Sequence, residues 1–231
     1  MRVGVLLSGG KDSVLALHRV APQHEIACCL TVETLNTASY MFHTPNIGLA
    51  VLQAQSMGIP LLRGASAGEK EAELRDLQAL LARAKAEYGI KGLVTGALAS
   101  DYQRERVEKL CAKSEMTCMS PLWHMDPRDE LRELIANGYK IIFVRVAAEG
   151  LDKSWLGEAL DTEHLQALIT LHERYGVHIG GEGGEYETLV LDAPLFKQRI
   201  EIISAHVEPE EGAHVLVVTE AALRPKPIKQ A

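Results

Sequence analysis

The sequence predicts an α/β protein with a parallel sheet in its first half and a smaller second domain after it. Short apolar runs alternate with helical patterns over the first half, which is typical of right-handed βαβ units. After residue 124 the order changes to helix, strand, helix and then three strands, which favours a separate α+β domain. With 231 residues, of which 47% are hydrophobic, the chain has enough apolar material for both cores.

The first half contains four predicted strands separated by helices. The predicted strands are 3–7, 26–32, 59–62 and 92–95. Four helices are predicted. The first begins at Ser13, and the second follows the stretch 43–48, in which Thr44 can cap it. The third and fourth span 68–88 and 100–113. Polar stretches follow three of the strands, at 8–13, 39–43 and 95–103. Because the carboxyl ends of parallel strands meet at one edge of the sheet, these stretches are expected to share a crevice.

The second domain is predicted to span 125–231, with the first domain at 1–124. Its predicted elements are a helix at 126–136, a strand at 139–148, a helix at 162–175, a loop at 176–188 and strands at 188–196, 199–208 and 214–221. The tail at 223–231 is expected to fray.

Charge and composition exclude several classes of function. The net charge of −7, with 24 Lys and Arg, argues against nucleic-acid binding by bulk electrostatics. The first strand begins at once, which leaves no room for a signal peptide, and no apolar run reaches the roughly 18 residues of a membrane span. We therefore expect a cytoplasmic protein. The four cysteines form no C-x-x-C pair, which argues against a thiolation enzyme.

The stretch SGGKDS, at residues 8–13, follows an apolar strand and begins a helix. Glycines there let the backbone approach a phosphate, and the helix directs its positive end at the anion. A carboxylate beside a phosphate repels it unless a cation lies between them, so Asp12 predicts a shared Mg²⁺. Lys11 would add positive charge. The predicted phosphate-binding residues are Ser8, Gly9, Gly10, Lys11, Asp12 and Ser13.

Two further stretches of the first half carry possible contacts to a nucleotide or substrate. In TGALASDYQRERVE, the residues expected to face the nucleotide are Gly96, Ser100 and Asp101. Gln103 is expected to face the same crevice and to bind the substrate, and Arg104 and Arg106 are expected to approach phosphates or the substrate carboxylate. Simple alternatives are a helix N-terminal charge at Asp101 and pairing of one arginine with a neighbouring glutamate. In SYMFHTPN, His43 is either a substrate contact or part of a helix start.

The stretch GGEGGEYET, at residues 180–188, is too rich in glycine and glutamate for a core strand. A solvent-exposed loop is the simple interpretation. Loops of this kind also bring backbone groups and carboxylates close to small ligands. Glu182, Glu185 and Glu187 suit a cationic partner, and Tyr186 would add a cation–π face. The predicted substrate-binding residues are Gly183, Gly184, Glu185, Tyr186, Glu187 and Thr188, with Glu182 and Glu185 expected to be catalytic together with Lys11 and Asp12.

SGGKDS resembles the S-G-G-x-D-S motif of the PP-loop (N-type ATP pyrophosphatase) superfamily. The resemblance implies a doubly wound, HUP-like parallel sheet and cleavage of ATP between its α and β phosphates. All four stretches, in order, resemble the diphthine–ammonia ligase family. That resemblance implies ATP and Mg²⁺ as cofactors, ammonium as co-substrate, and translation elongation factor 2 carrying diphthine as the protein substrate.

The resemblance also implies a mechanism in which an acyl-adenylate forms and ammonium displaces AMP. No glutaminase segment is evident, which favours free ammonium as the nitrogen source. Two alternatives remain at this point: another adenylating enzyme of the superfamily that modifies tRNA, and a nucleotide-binding sensor without catalysis. The sequence also leaves open whether the chain forms a homodimer.

Overall fold

The computed structural model describes residues 1–34, 46–67, 72–98 and 101–227, without the side chains of residues 72, 102 and 103. The chain divides into two compact units. The first comprises Met1–Ala54 and Ile59–Met125, and the second comprises Gln55–Gly58 and Asp126–Ala231. Within the described ranges, none of the helices is both long and apolar enough to cross a membrane.

The first unit is built on a five-stranded parallel sheet. Its strands are β1 (Arg2–Leu6), β2 (Glu25–Thr34), β3 (Leu61–Ser66), β4 (Gly92–Val94) and β5 (Thr117–Met119). Its helices are α1 (Lys11–Val20), α3 (Ala72–Tyr88), α4 (Asp101–Lys113) and the first five residues of α2 (Ala50–Met57), whose last three residues belong to the second unit. The strand order is β3-β2-β1-β4-β5, and every neighbouring pair is parallel. This arrangement confirms the predicted α/β class.

The strand order explains where a ligand site would form in this unit. From β1 the chain proceeds outward to β2 and β3 on one side, and then returns to β4 and β5 on the other side. Open parallel sheets bind ligands beyond the carboxyl ends of the strands at such a reversal point. The segments that follow β1 and β4 therefore flank the expected site. Helix α1 packs on β1 and β4, α3 packs on β2 and β3, and α4 packs on β5.

The second unit contains a four-stranded antiparallel sheet and two α-helices. Its helices are α5 (Pro127–Ala136) and α6 (Thr162–Tyr175), and its strands are β6 (Lys140–Val146), β7 (Tyr186–Asp192), β8 (Gln198–Glu210) and β9 (Ala213–Pro225). The strand order is β7-β6-β9-β8. Asp126 caps α5 by accepting from the N–H of Arg128, and Asp161 caps α6 by accepting from the N–H of His164.

Several elements differ from the expectations: α1 begins at Lys11 rather than Ser13, and β7 spans Tyr186–Asp192 rather than 188–196. β5 was not predicted, because it is a three-residue edge strand without an apolar run long enough to read. β3 begins two residues later and extends further than expected, since its pairing with β2 continues to Ser66. The predicted fraying at 223–231 is wrong for its first residues, because Leu223 to Pro225 pair with β8. Residues 228–231 lie outside the described residues.

Candidate functional site

The Ser-Gly loop, residues 8–13, connects β1 to α1. Gly9 has a φ of 90°, which is unfavourable for any residue with a side chain, and Gly10 occupies the N-cap position of α1. As a glycine, Gly10 has no side chain that could cap the helix. The first backbone N–H groups of a helix have no acceptor inside it and point beyond its end. The loop therefore presents backbone donors and the positive end of a helix dipole, which together suit an anion.

The serine hydroxyls of this loop hold its shape. The Ser13 hydroxyl donates to the Gly10 carbonyl at 3.0 Å and accepts from the N–H of Ser8 at 3.3 Å. The Ser8 hydroxyl also donates to the Ser13 oxygen at 3.1 Å. Ser13 is buried and Ser8 is half-buried. Ser13 thus bridges the two ends of the loop.

Lys11 and Asp12 form an ion pair at the start of α1. The Lys11 ammonium donates to Asp12 Oδ1 at 2.5 Å. Only 1% of Lys11 is exposed, whereas 30% of the Asp12 side chain is exposed. Burying an ammonium costs free energy unless a partner offsets it, and Asp12 is such a partner. Lys11 therefore faces inward, which the sequence alone left open.

Asp12 also has the properties required of a magnesium ligand. Mg²⁺ is held by one or two carboxylates together with phosphate oxygens and water, and it does not need an all-protein cage. The Asp12 carboxylate is partly open to solvent at the same end of the helix that favours phosphate. Among the described residues, no group of three or more His, Cys, Asp or Glu side chains is arranged to hold a metal ion. The partly exposed Asp12 carboxylate, beside a helix end that favours phosphate, fits a cation that binds together with a phosphate.

Gly96 follows β4 and lies directly against this loop. A Cβ at this position would stand 2.8 Å from both the carbonyl carbon of Asp12 and the nitrogen of Ser13. Those are backbone atoms, so they cannot rotate out of the way as a side chain would. The two segments that flank the reversal point of the sheet are therefore in contact, and glycine is required for that contact.

Of the predicted site residues on α4, some side chains are exposed and others already contact neighbouring residues. Asp101 is exposed at the first position of the helix. Arg104 donates through Nε to Glu108 at 2.7 Å, and its guanidinium carbon lies 4.2 Å from the centre of the Trp123 ring. Arg106 is half-buried. The alternative in which one arginine pairs with a neighbouring glutamate therefore describes Arg104.

Three predicted positions have no described side chain. His43 and Ser100 lie outside the described residues. The backbone of Gln103 is part of α4, but its side chain is outside the description. Their roles stay predictions.

The Gly-Glu loop, residues 178–185, connects α6 to β7 and is organised around the carboxylate of Glu185. Oε1 accepts from the N–H of His178 at 3.0 Å, and Oε2 accepts from the N–H of Gly183 at 2.8 Å. His178 adds a second centre, since its Nδ1 accepts from the N–H groups of Gly180 at 3.1 Å and Glu182 at 3.3 Å. Glu185 therefore acts on its own loop, and Glu182 is the exposed glutamate.

Tyr186 and Thr188 lie in the core of the second unit. Residues of a strand alternate between its two faces, so both point to the same, buried side of β7. Only 3% of Tyr186 is exposed; its hydroxyl donates to the Ile179 carbonyl at 2.6 Å, and its ring packs edge-on against Phe143. This corrects the expectation of an exposed tyrosine face for a cation, because the apolar core covers the ring.

Glu187 lies on the opposite face of β7 and shares one arginine with a second glutamate. Arg145 of β6 is its cross-strand neighbour, with Nη1 4.0 Å from Glu187 Oε1 and Nε 3.0 Å from Glu210 Oε2. Arg145 Nη1 also donates to the Gly184 carbonyl at 3.0 Å. Burial raises the pKa of Glu187 to about 7, Arg145 opposes this and Glu210 adds to it. The group therefore ionises near neutral pH.

Arg145, Glu210 and Gln53 were missed in the sequence. Arg145 links the Gly-Glu loop to β8, and Glu210 also lines a cleft of about 410 Å³ beside the end of β6. Gln53 donates to the Gly9 carbonyl at 2.9 Å. Arg145 and Gln53 stand inside apolar patterns, where they read as ordinary strand and helix residues. Their partners are distant in sequence.

Two family models match the chain: the diphthamide synthase N-terminal domain over residues 1–118 and the diphthamide synthase C-terminal domain over residues 126–222. The chain belongs to the diphthamide synthase family. The family predicted from the four motifs is thereby confirmed.

Curated relatives from animals and fungi carry the name diphthine–ammonia ligase. The Mus musculus protein is 39% identical, with 89% of this chain and 84% of that protein covered. The Danio rerio protein is 41% identical, with 87% and 86% covered. The Schizosaccharomyces pombe protein is 34% identical, with 98% of this chain but 40% of that protein covered. These are carbon–nitrogen ligases, which confirms the predicted class of enzyme.

Among solved structures, a predicted subunit of tRNA methyltransferase from Methanocaldococcus jannaschii aligns with a TM-score of 0.46 and 19% identity. The alignment covers 84% of this chain and 98% of that chain.

Proposed function

We propose that this chain makes diphthamide by activating the carboxylate of diphthine with ATP and then amidating it with ammonium. Amidation is the reaction that the name of its relatives describes. The protein substrate that we propose is elongation factor 2. Activation by ATP is our inference from the chemistry, since a carboxylate is a poor electrophile for an amine. The Ser-Gly loop supports it, because its donors and helix end suit the phosphates of ATP.

The first step that we propose is adenylate formation. A diphthine carboxylate oxygen attacks the α-phosphorus of ATP, the bond to the β-phosphate oxygen breaks, and pyrophosphate leaves. We assign the Ser-Gly loop, with Gly96 against it, to the departing pyrophosphate, and Asp12 to the Mg²⁺ that accompanies it. Lys11 holds the Asp12 carboxylate in place. We assign Asp101, at the start of α4, to the nucleotide, and Arg106 to its phosphates or to the substrate carboxylate, which a guanidinium can bind through two N–H groups. Arg104 can take the same role only if it releases Glu108.

The second step is attack by ammonia. Its nitrogen adds to the acyl carbon, AMP leaves, and one proton is released. Ammonium must lose a proton before it attacks, so a nearby base would help. We assign Glu182 and Glu187 to the cationic groups, the trimethylammonium of diphthine and ammonium. Glu185 shapes the loop, because both of its oxygens already accept from backbone N–H groups.

Analysis of products tests the proposal. The full chain is incubated with ATP, Mg²⁺ and ammonium in the presence of elongation factor 2 that carries diphthine. The expected result is AMP, pyrophosphate and amidated protein in equal amounts, with no AMP when the protein substrate is omitted. AMP formed with tRNA would favour the tRNA-modifying alternative, and nucleotide binding without turnover would favour a sensor. Either outcome contradicts the proposal.

A further inference from the structure

The Ser-Gly loop is supported from behind by the buried amide of Gln53. None of the surface of Gln53, on α2, is exposed, and its Nε2 donates to the Gly9 carbonyl at 2.9 Å. A Cβ on Gly9 would stand 3.2 Å from Gln53 Oε1, so the amide lies directly against the turn. Burying an amide costs free energy unless its hydrogen bonds are replaced. The bond to the loop supplies one such replacement.

This hydrogen bond controls the direction of a neighbouring N–H group. In a trans peptide the carbonyl of one residue and the N–H of the next point in opposite directions. With the Gly9 carbonyl turned toward Gln53, the Gly10 N–H points away from α2 and donates to the Ser8 hydroxyl oxygen at 3.4 Å. Two successive glycines put little steric restraint on this peptide, so its orientation depends on these two hydrogen bonds, of which the bond to Gln53 is the shorter.

We propose that Gln53 is a positioning residue that fixes the orientation of the Gly9–Gly10 peptide and thereby the affinity of the Ser-Gly loop for pyrophosphate. The inference rests on the proposed role of this loop. It predicts a selective defect: variants at Gln53 lose affinity for pyrophosphate, whereas affinity for AMP, which lacks the pyrophosphate group, is retained. A residue that served stability alone would not separate the two ligands.

Two variants of the full chain alter the bond in different ways. Gln53→Met keeps the length of the side chain but removes the donor. Gln53→Glu places a carboxylate against the Gly9 carbonyl, yet its protonated form can again donate through O–H. Ser56→Ala is the matched control, since Ser56 is a buried polar residue of the same helix whose hydroxyl donates to the Gln198 carbonyl and makes no contact with the loop.

Calorimetric titration with magnesium pyrophosphate and with AMP tests the proposal. We expect affinity for pyrophosphate to fall about tenfold in Gln53→Met, the size of one lost hydrogen bond, and AMP affinity to change less than about twofold. In Gln53→Glu the defect relative to the parent should shrink as the pH falls from about 8 to about 5, because burial at this position raises the pKa of the introduced carboxyl and lets it protonate in this range. Ser56→Ala should bind both ligands like the parent.

The outcomes separate this inference from the proposed function. If the parent chain itself fails to bind pyrophosphate, the proposed role of the loop is wrong and the inference falls with it. If the parent binds pyrophosphate but both Gln53 variants bind it equally well, the inference alone is wrong. It is also wrong if the affinities for pyrophosphate and AMP fall together in a folded variant. Thermal melting shows whether each variant is folded.

Discussion

In the Ser-Gly loop the first N–H groups of α1 point beyond the helix end, whereas in the Gly-Glu loop backbone N–H groups turn inward onto Glu185 and His178. Both loops are rich in glycine, and both contain carboxylates. Their donors are used differently: the N–H groups at the start of α1 point beyond the helix end, whereas the N–H groups of the Gly-Glu loop donate to Glu185 and His178 of the same loop. The difference teaches that glycine content alone does not identify an anion site. Whether a glycine-rich loop can bind an anion depends on the position of its carboxylates relative to its backbone N–H groups.

The same comparison assigns different roles to the acidic residues. Asp12 accepts from a buried lysine and keeps an exposed side, so it can take part in binding a cation. Glu185 accepts two backbone N–H groups, so its main effect is on loop conformation. Removing Asp12 should therefore impair chemistry more than folding, and removing Glu185 should do the reverse. The predictions that follow test this contrast, from the largest expected effect to the smallest.

The largest effect is expected for Asp12→Asn. The change removes the negative charge assigned to Mg²⁺ while an amide oxygen remains to accept from Lys11. We expect the rate of adenylate formation to fall at least about 100-fold, measured as pyrophosphate release in a single turnover. Asp129→Asn, at an exposed carboxylate that pairs with Arg132 on α5, is the control and should react like the parent. A rate within threefold of the parent would remove Asp12 from the mechanism.

Gly96→Ala should weaken ATP binding strongly, although Gly96 has no side chain that could contact a ligand. The new methyl group would meet backbone atoms of Asp12 and Ser13 and displace the start of α1. We expect ATP affinity to fall roughly 10- to 100-fold, measured by titration, because small displacements at such sites have large effects.

Gly48→Ala is the matched control for this change. An added Cβ at Gly48 meets no atom of the described residues within 4 Å, and the residue is not in the left-handed region. The control should bind ATP like the parent. Normal ATP affinity in Gly96→Ala would show that the contact between the two segments is not required.

Glu185→Gln should loosen the Gly-Glu loop. The amide can accept one of the two backbone N–H groups, but its NH₂ group opposes the other. We expect a loss of about 1–3 kcal/mol in the free energy of unfolding and a higher KM for the protein substrate, with ATP affinity unchanged.

Denaturant titration and steady-state kinetics measure the effects of Glu185→Gln. Glu173→Gln, at an exposed position on α6, is the control and should match the parent in both. If Glu185→Gln abolished adenylate formation without loss of stability, Glu185 would act in chemistry rather than on the loop.

The smallest effect concerns Glu187 and pH. Its pKa is raised from the ordinary value of 4.5 to about 7, so the folded state holds this proton more tightly than the unfolded state does. The stability contributed by that proton is complete below pH 4.5 and is lost as the pH rises through about 7. We expect Glu187→Gln to reduce the fall in the free energy of unfolding between pH 5 and pH 8 by an amount on the order of 1–3 kcal/mol.

Unfolding by denaturant at both pH values measures this difference. Glu220→Gln, at an exposed position on β9, is the control and should keep the pH dependence of the parent. An unchanged pH dependence in Glu187→Gln would show that another group dominates the titration.

Much of the fold could be read from the sequence because it depends on local patterns. Alternating apolar runs and helical patterns predicted the parallel sheet, and α6 begins and ends where predicted, at the cap Asp161 and before Gly176. β5 could not be read, since three residues carry too little pattern, and its place at the sheet edge depends on pairing with β4.

The candidate site also contains residues that local patterns identify and residues that they do not. Composition and position identified the two loops, because glycine and acidic residues after a strand or helix are a local signal. The supporting residues are long-range: Gln53 is 44 residues from Gly9, and Arg145 is 65 residues from Glu210. The burial of Tyr186 could be anticipated only by placing it inside β7 rather than in the loop before it. Such roles depend on tertiary contacts that no local pattern records.

Exchange of labelled pyrophosphate into ATP tests the central claim most directly, because it requires reversible adenylate formation and nothing after it. With the full chain, Mg²⁺ and diphthine-bearing elongation factor 2, but no ammonium, label should enter ATP, and Asp12→Asn should abolish the exchange. Exchange that proceeds equally well in Asp12→Asn, or a parent enzyme that amidates its substrate without any exchange, would contradict the account.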